Sequence, residues 1–546
     1  MLIADGWQTR VTTMSGPLSP ADLQAAIDAD DPIAVIDVRE TLDYAEGHIT
    51  ECTLITRREL EERLPIVVPN RQTPVVLVDR AGDRAPLDAE WLSQLGYENV
   101  TWLAGGMAAW NEADRPVVEA EGNVHSTAFN FESKKFGELV EAREDLPKVQ
   151  PEEFEDRFGD EDPLVVDVRT PREYNWITIP GSINVEGVDL GLYIEELRED
   201  PDRPVVVHCA GRTRSIIGTA TLKKLGVSNV YELENGTMGW ELAGKEPEIG
   251  AERRVSDAEV DPKRYDEIRA SAEGLLEEND IEFVTPADLE TLESDVAPEQ
   301  TIYRFDVRTE GEYADGHVPD AISVPGGQLI QTTDQHIAVR DAAIVLISDT
   351  HVRSAITAYW LAEMGFEQVT VLEGGLEAWT ESGRPTEAGS SPTAPLGESL
   401  VEETAEAIDV DGLADCLDRD ECTVIDIDDS ESYEEEHIEG ASWLPRYSLE
   451  SAIESGELDA DSPLVLVSSN ERHAAYAATA LDVLSDHGAV SYLEGGTAAW
   501  IDAGRPTASG TDGMLVEPRD AVMKPYFQGE AEMRAYLEWE KELAEG

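Results

Sequence analysis

The sequence predicts four tandem α/β domains, each a central parallel sheet flanked by helices. Three observations predict it. A short apolar strand closing on an acidic residue recurs as Ala34-Val-Ile-Asp-Val-Arg39, Val165-Val-Asp-Val-Arg169, Arg304-Phe-Asp-Val-Arg308 and Val424-Ile-Asp-Ile-Asp428. Each copy ends alike, on Leu103-Ala-Gly-Gly-Met-Ala-Ala-Trp110, Leu233-Glu-Asn-Gly-Thr-Met-Gly-Trp240, Leu372-Glu-Gly-Gly-Leu-Glu-Ala-Trp379 and Leu493-Glu-Gly-Gly-Thr-Ala-Ala-Trp500. The tryptophans stand 130, 139 and 121 residues apart, the spacing of whole domains and not of solenoid units. Within a copy, short apolar runs alternate with helical stretches, the order that yields a parallel sheet with helices on both faces.

The domains are placed at 18–117, 148–247, 284–386 and 408–507, with a tail over 508–546. In each, the first strand is followed by a segment seen as Asp43-Tyr-Ala-Glu-Gly-His-Ile49, Glu312-Tyr-Ala-Asp-Gly-His-Val318 and Ser432-Tyr-Glu-Glu-Glu-His-Ile438. The second copy has Glu173-Tyr-Asn-Trp-Ile-Thr-Ile179 instead. Charged, helix-prone connectors cover about Val118–Lys148 and Glu248–Ile281. A third, about Ala388–Glu406, contains Ser390-Ser-Pro-Thr-Ala-Pro and is more linker-like. In the tail, Met533, Tyr536, Leu537, Trp539 and Leu543 alternate with acids, roughly a helical face able to dock on a domain.

A chain of 546 residues exceeds one core. Its 41 basic and 115 acidic residues give a formal charge of −74. That excludes the basic face that nucleic acids and anionic membranes require. The acid is spread along the whole length, as in salt-accumulating halophiles, and 41% apolar residues mark a folded protein. The four cysteines, Cys52, Cys209, Cys416 and Cys422, are too few and irregular for a disulfide framework, and no Cys/His pairing suggests zinc. Met1–Arg10 has no apolar signal core and no long apolar span occurs, so a reducing cytoplasm is expected.

The most informative stretch is Pro204-Val-Val-Val-His-Cys-Ala-Gly-Arg-Thr-Arg-Ser215. A β-branched run reads as a buried strand, ends on Cys209, turns through a polar loop and continues as a helix from Ser215. A thiol there faces the positive end of the helix and a ring of backbone N–H groups, which favour the reactive thiolate. Five residues after the leading Pro74, Pro204, Ala343 and Pro463 stand Asp79, Cys209, Ser348 and Ser468. Only the second domain has a thiol in this slot.

The Asp-Val-Arg strand, the Tyr-x-x-Gly-His-Ile segment, the cysteine loop and the Leu-x-Gly-Gly-x-x-x-Trp ending together resemble the rhodanese family of sulfurtransferases. The resemblance covers all four copies. It implies transfer of sulfane sulfur through a persulfide on Cys209, and catalytic silence in domains one, three and four. No metal or organic cofactor is implied. The partners it implies are a small anionic sulfur donor such as thiosulfate and a thiol or cyanide acceptor, with no nucleic acid and no membrane; a homodimer is compatible with it.

The loop Ala210, Gly211, Arg212, Thr213 and Arg214 is then expected to bind substrate, its amides converging on the outer sulfur or on sulfite oxygens. Gly211 lets the backbone curl, and Arg212 and Arg214 supply forked donors. Arg214 has a bracing alternative, since Arg84 and Arg353 share its offset. Asp167 and Arg169 read as a supporting scaffold pair, because Asp37/Arg39 and Asp306/Arg308 repeat it. Ser215 opens the helix. Trp176 either walls the pocket or packs a neighbour. His208 reads as a buried histidine that could tune the thiolate. Cys52, Cys416 and Cys422 read as core packing. A phosphatase or arsenate reductase using the same cysteine is the rival enzyme, disfavoured by a six-residue loop. A largely non-catalytic sulfur-relay or binding scaffold is the other rival.

The charge makes a testable demand. The screening length falls from ~10 Å at about 0.1 M salt to a few ångströms at about 2 M. The compact state carries the repulsion, so the melting temperature rises over that range of KCl. A flat or falling melting temperature contradicts a halophile's surface.

Overall fold

The computed structural model describes residues 16–29, 31–122, 124–159, 161–194, 200–254, 262–295, 300–349, 351–390, 394–459, 462–484 and 488–544. The expected signal-free segment Met1–Arg10, and residues 391–393 of the third connector, lie outside them. The described residues of the second and third domains and of the C-terminal segment form one compact unit, and those of the first and fourth form another.

Each domain is built on a parallel sheet. In the second the strand order is Lys148–Val149, Val230–Leu233, Val205–His208, Leu164–Asp167, Ile183–Asn184. The third repeats it with Phe283–Val284, Val369–Leu372, Ala343–Ile347, Ile302–Asp306 and Ile322–Ser323. The fourth repeats it with Ala407–Ile408, Val490–Leu493, Leu464–Val467, Thr423–Asp426 and Ser442–Trp443. The first has four strands, with a single parallel bridge from Leu18 to Leu103 in place of the edge strand. The strand that leads to the slot residue is central in every five-stranded sheet. It is buried on both faces, which is why it reads as an unbroken apolar run and not as an alternation.

In the second domain, helix Thr213–Lys224 follows that central strand and is buried along most of its length. It lies between the sheet and the first connector, which forms helix Phe131–Glu144. It also meets the third domain, where Trp360 Nε1 donates to Thr221 Oγ1 at 2.8 Å. The tail forms helices Pro525–Gln528 and Glu530–Glu542.

One sequence expectation is corrected. Cys416 and Cys422 are not separate core thiols but are joined as a disulfide. Helix Val410–Arg419 ends on Asp420 in the left-handed region (φ 55°), and this reversal brings the two Cα atoms to 5.8 Å.

The unit of the first and fourth domains contains a buried ion network. Glu61 accepts from Arg446 at 2.7 and 2.9 Å, from Arg57 at 3.0 Å and from Trp91 Nε1 at 2.6 Å. Burial alone would push the Glu61 carboxyl up, but Arg446 and Arg57 hold it down, from 4.5 to about 2. A carboxyl lowered on folding stabilises above its unfolded value, and that contribution is lost as pH falls through 4.5 towards 2. Glu61→Gln leaves buried guanidinium charge uncompensated and is expected to cost about 3–5 kcal/mol. A variant that melts with the parent at neutral pH contradicts this account.

Candidate active site

Cys209 sits at the carboxyl end of strand Val205–His208, just before helix Thr213–Lys224, and is 2% exposed. Its Sγ lies 3.5 Å from Ser215 Oγ. Ser215 in turn donates to Arg212 O at 2.7 Å. The repeated Leu-x-Gly-Gly ending braces the loop from below: Thr237 N donates to Cys209 O at 2.9 Å and Met238 N to Ala210 O at 3.0 Å. Gly236, at φ 51°, allows this approach, since a Cβ there would fall 2.2 Å from Cys209 O. Gly106, Gly375 and Gly496 meet Asp79, Ser348 and Ser468 in the same way. That contact is the physical reason for the motif.

In the first domain the loop's amides have an acceptor of their own. The Asp79 carboxylate curls into its own loop and accepts from Gly82 N at 2.6 Å and from Arg84 N and Ala85 N, each at 2.8 Å. The amides at those offsets in the second domain belong to Arg212, Arg214 and Ser215. In the third domain Ser348 Oγ pairs with Ser354 Oγ at 2.9 Å. In the fourth, Ser468 Oγ donates to Asp428 Oδ1 at 2.9 Å, and Asp428 stands where the other copies have arginine.

The thiol is not the ready thiolate that its place at a helix start implies. Burial pushes its pKa above the ordinary value; the Arg214 charge and the Ser215 hydroxyl pull down, and Glu540 adds to the rise. His208, also fully buried, is driven towards its neutral form by desolvation. Its Nδ1 is 3.4 Å from Cys209 O, and its Nε2, 3.8 Å from Asp167, has no hydrogen-bond partner.

The two loop arginines are engaged by acids. Arg212 is 1% exposed; its Nε and Nη2 donate to Glu138 at 2.6 and 2.7 Å, and Nη2 to Glu141 at 2.6 Å. The fork expected to face a substrate is therefore filled by the connector helix. Arg214 forms a two-point pair with Glu173 at 2.7 and 2.8 Å. Against the cost of burial, Arg214 holds the Glu173 carboxyl down to about 2. Asp167 and Arg169 pair at 2.7 and 3.0 Å, as do Asp37 with Arg39 and Asp306 with Arg308. Thr178 donates to Asp167 Oδ2 at 2.7 Å. Its histidine counterparts His48, His317 and His437 stack on Tyr44, Tyr313 and Tyr433 at 3.6–3.8 Å.

The C-terminal helices bring to the loop the face of Met533, Tyr536 and Leu537 that the sequence marks as able to dock, together with Tyr526, Glu540 and Lys541, which the sequence did not single out. Met533 and Leu537 pack on Met238, with Tyr526 and Tyr536 alongside. Tyr526 contacts Thr237, and Lys541 pairs with Glu234. Glu540 Oε1 is 3.4 Å from Thr213 Oγ1. Gly211 does not adopt a positive φ. Its missing side chain makes room for the tail instead: a Cβ would lie 3.1 Å from Glu540 Oε2, 3.1 Å from Met238 Cε and 3.5 Å from Tyr536 Cε1. Trp176 stays 41% exposed and packs edge-on to Tyr526 and obliquely on Phe527, centroids 5.4 and 5.7 Å away.

A model of the rhodanese-like domain matches residues 19–113, 150–243, 288–382 and 409–503. The chain belongs to the rhodanese family. Among solved structures it is similar to a thiosulfate sulfurtransferase from Pseudomonas aeruginosa, 35% identical with a TM-score of 0.85 over 97% of each chain. A thiosulfate sulfurtransferase of Azotobacter vinelandii is 26% identical over 276 residues, 43% of this chain and 96% of that protein. A putative sulfurtransferase of Bacillus subtilis is 30% identical over 99 residues, 18% of this chain and 93% of that protein. These relatives make this rhodanese chain a sulfurtransferase homologue with four copies of the family's domain. Among its described residues no helix is long and apolar enough to cross a membrane.

Because burial raises the Cys209 thiol, its alkylation by iodoacetamide is expected to accelerate with pH through and beyond the ordinary thiol range. A rate already at its plateau below about pH 7 contradicts the burial argument.

Proposed function

We propose that this protein transfers sulfane sulfur from a donor such as thiosulfate to a thiol or cyanide, with Cys209 as the carrier. The observation that carries the reading is the contrast between slots. The first domain's loop amides hold the Asp79 carboxylate at 2.6–2.8 Å, whereas the second domain puts a sulfur at the same point. A ring of amides that accepts a carboxylate is suited to the negative charge on a persulfide or a departing sulfite.

The reaction runs in two displacements. The Cys209 thiolate attacks the outer sulfur of thiosulfate. A new S–S bond forms as the old one breaks, and sulfite leaves with the electron pair. An acceptor thiolate or cyanide then attacks the outer sulfur of the Cys209 persulfide, giving a new persulfide or thiocyanate and returning the Cys209 thiolate. The proton of the resting thiol passes to solvent beforehand. Ser215, 3.5 Å from Sγ, and the charge of Arg214 stabilise the thiolate against burial. Arg212 acts as a brace between loop and connector helix, with its backbone N–H as its contribution to the site. Domains one, three and four, with Asp79, Ser348 and Ser468, are scaffold by this reading.

After incubation with thiosulfate, peptide mass mapping is expected to find one added sulfur atom on the Cys209 peptide. The same addition on Cys52 overturns the assignment. Cys209→Ala is expected to keep the parental melting temperature, since the slot holds Asp or Ser elsewhere, and to lose transfer to cyanide.

A further inference from the structure

We propose that Cys209, Ser215 and Glu232 form one titrating unit, in which Glu232 takes up the Cys209 proton through the Ser215 hydroxyl and is the positioning residue behind the thiolate. The inference deepens the reading above and rests on Cys209 being its reactive thiol.

Three observations carry it. The first is an unbroken chain of contacts. The Cys209 thiol donates to Ser215 Oγ at 3.5 Å, and the Ser215 hydroxyl reaches Glu232 Oε1 at 3.3 Å and Arg212 O at 2.7 Å. The second is the surroundings of Glu232, a fully buried acid on strand Val230–Leu233, beside the central strand. Among the described residues no N–H or hydroxyl donates to its Oε2. What faces it is the Glu141 carboxyl, as a hydrogen-bond partner. Two carboxylates cannot bond to each other without a proton between them. Arg212 and Lys148 donate to Glu141 at 2.6 and 2.9 Å, so that proton rests on Glu232. The third is the contrast between copies. The offsets of Ser215 and Glu232 hold Ala85 and Trp102 in the first domain, Ser354 and Val371 in the third, and Ala474 and Tyr492 in the fourth. A buried acid is costly, and the copy that carries one here is the copy with the thiol.

The step needs no co-reactant. The Sγ–H bond breaks as its proton passes to Ser215 Oγ, and the hydroxyl's own proton passes to Glu232 Oε1. A thiol and a carboxylate become a thiolate and a carboxyl. Where Glu232 already holds a proton, that one leaves through Glu141, whose partner Lys148 has a side chain 43% exposed. The hydroxyl has one proton, so it can serve the thiolate or the Glu232 carboxylate but not both, and the two charges oppose each other. Glu232 is also faced by Arg212 and Glu138. Around Cys209 stand His208, Arg214, Glu540, Tyr526 and Tyr536. Burial pushes Glu232 up to about 8 and the thiol above its ordinary value, so Glu232 ionises first and holds the thiol back.

The test is the pH profile of Cys209 alkylation by iodoacetamide in the full chain, with peptide mapping to assign the site. Glu540, pushed up to about 7, titrates nearby. Every profile is therefore taken in a Glu540→Gln background. With Glu232 present, the logarithm of the rate is expected to climb to about pH 8, flatten as Glu232 ionises, and climb again. Glu232→Gln, and independently Glu232→Val after the third domain's residue, are expected to climb once, without the flat segment, and to react about tenfold faster at about pH 9.5. A folded Glu232 variant whose profile is merely displaced, with the flat segment kept, overturns the unit. Ser215→Ala, a side chain that two sister domains carry, is expected to shorten the flat segment. A flat segment of parental length in that variant overturns the path through the hydroxyl. Because alkylation needs no sulfur donor, a protein that transfers no sulfur yet shows the change of profile refutes the sulfur-transfer reading and leaves the unit standing.

Discussion

Backbone N–H groups that converge where a strand turns into a helix must be answered by an acceptor, because the first turn of a helix cannot satisfy its own donors. The four copies of this fold answer that demand differently. The first uses its own Asp79 carboxylate. In the fourth, Asn470 N donates to Ser468 Oγ and Ser469 N to the Asp428 carboxylate, while in the third Ser348 Oγ pairs with Ser354 Oγ. The second presents a thiol, a weak acceptor, with the hydroxyl and backbone N–H of Ser215 beside it. In the reading proposed above, a persulfide or a sulfite oxygen takes the place that the Asp79 carboxylate takes in the first domain.

The electrostatics around this site follow from the composition of the whole chain. Acids outnumber bases 115 to 41, so each cation near the loop has carboxylates in reach. Arg212 is taken by two and Arg214 by one. The guanidinium groups therefore fix geometry more than they offer charge. Glu232, buried beneath the loop, is pushed up to about 8 by desolvation, which limits the negative charge the interior must hold. The thiol itself is raised for the same reason, burial outweighing a favourable arginine.

The parallel sheet and the place of Cys209 at a strand's end were legible because β-branched runs closing on a slot residue recur at matching offsets, and such runs have few alternatives to a buried parallel strand; the order of the strands was not. The Leu-x-Gly-Gly ending was legible as a repeat, although its reason, a glycine pressed on the slot residue's carbonyl, needed coordinates. Arg212 was misread for a physical cause. Its partners Glu138 and Glu141 lie more than 70 residues away on a connector helix, and a sequence does not say which of 115 acids will fold against a given cation. Gly211 was assigned to loop curvature, but it does not take a positive φ, and a Cβ there would crowd Glu540, Met238 and Tyr536. The disulfide between Cys416 and Cys422 depends on the left-handed turn at Asp420, a conformation that short polar residues adopt only when context asks for it.

The helix that packs against the Cys209 loop, Glu530–Glu542, comes from the far end of the chain: Thr213 and Glu540, in contact there, are 327 residues apart. At ~5–20 residues per second, ribosomal synthesis separates them by roughly 15–65 s. During that interval the second domain can complete its strand and its loop, but the helix that packs against them does not yet exist. Burial of the loop is therefore the last step of the chain's synthesis, and a truncation that removes the final helix leaves everything else of the second domain in place.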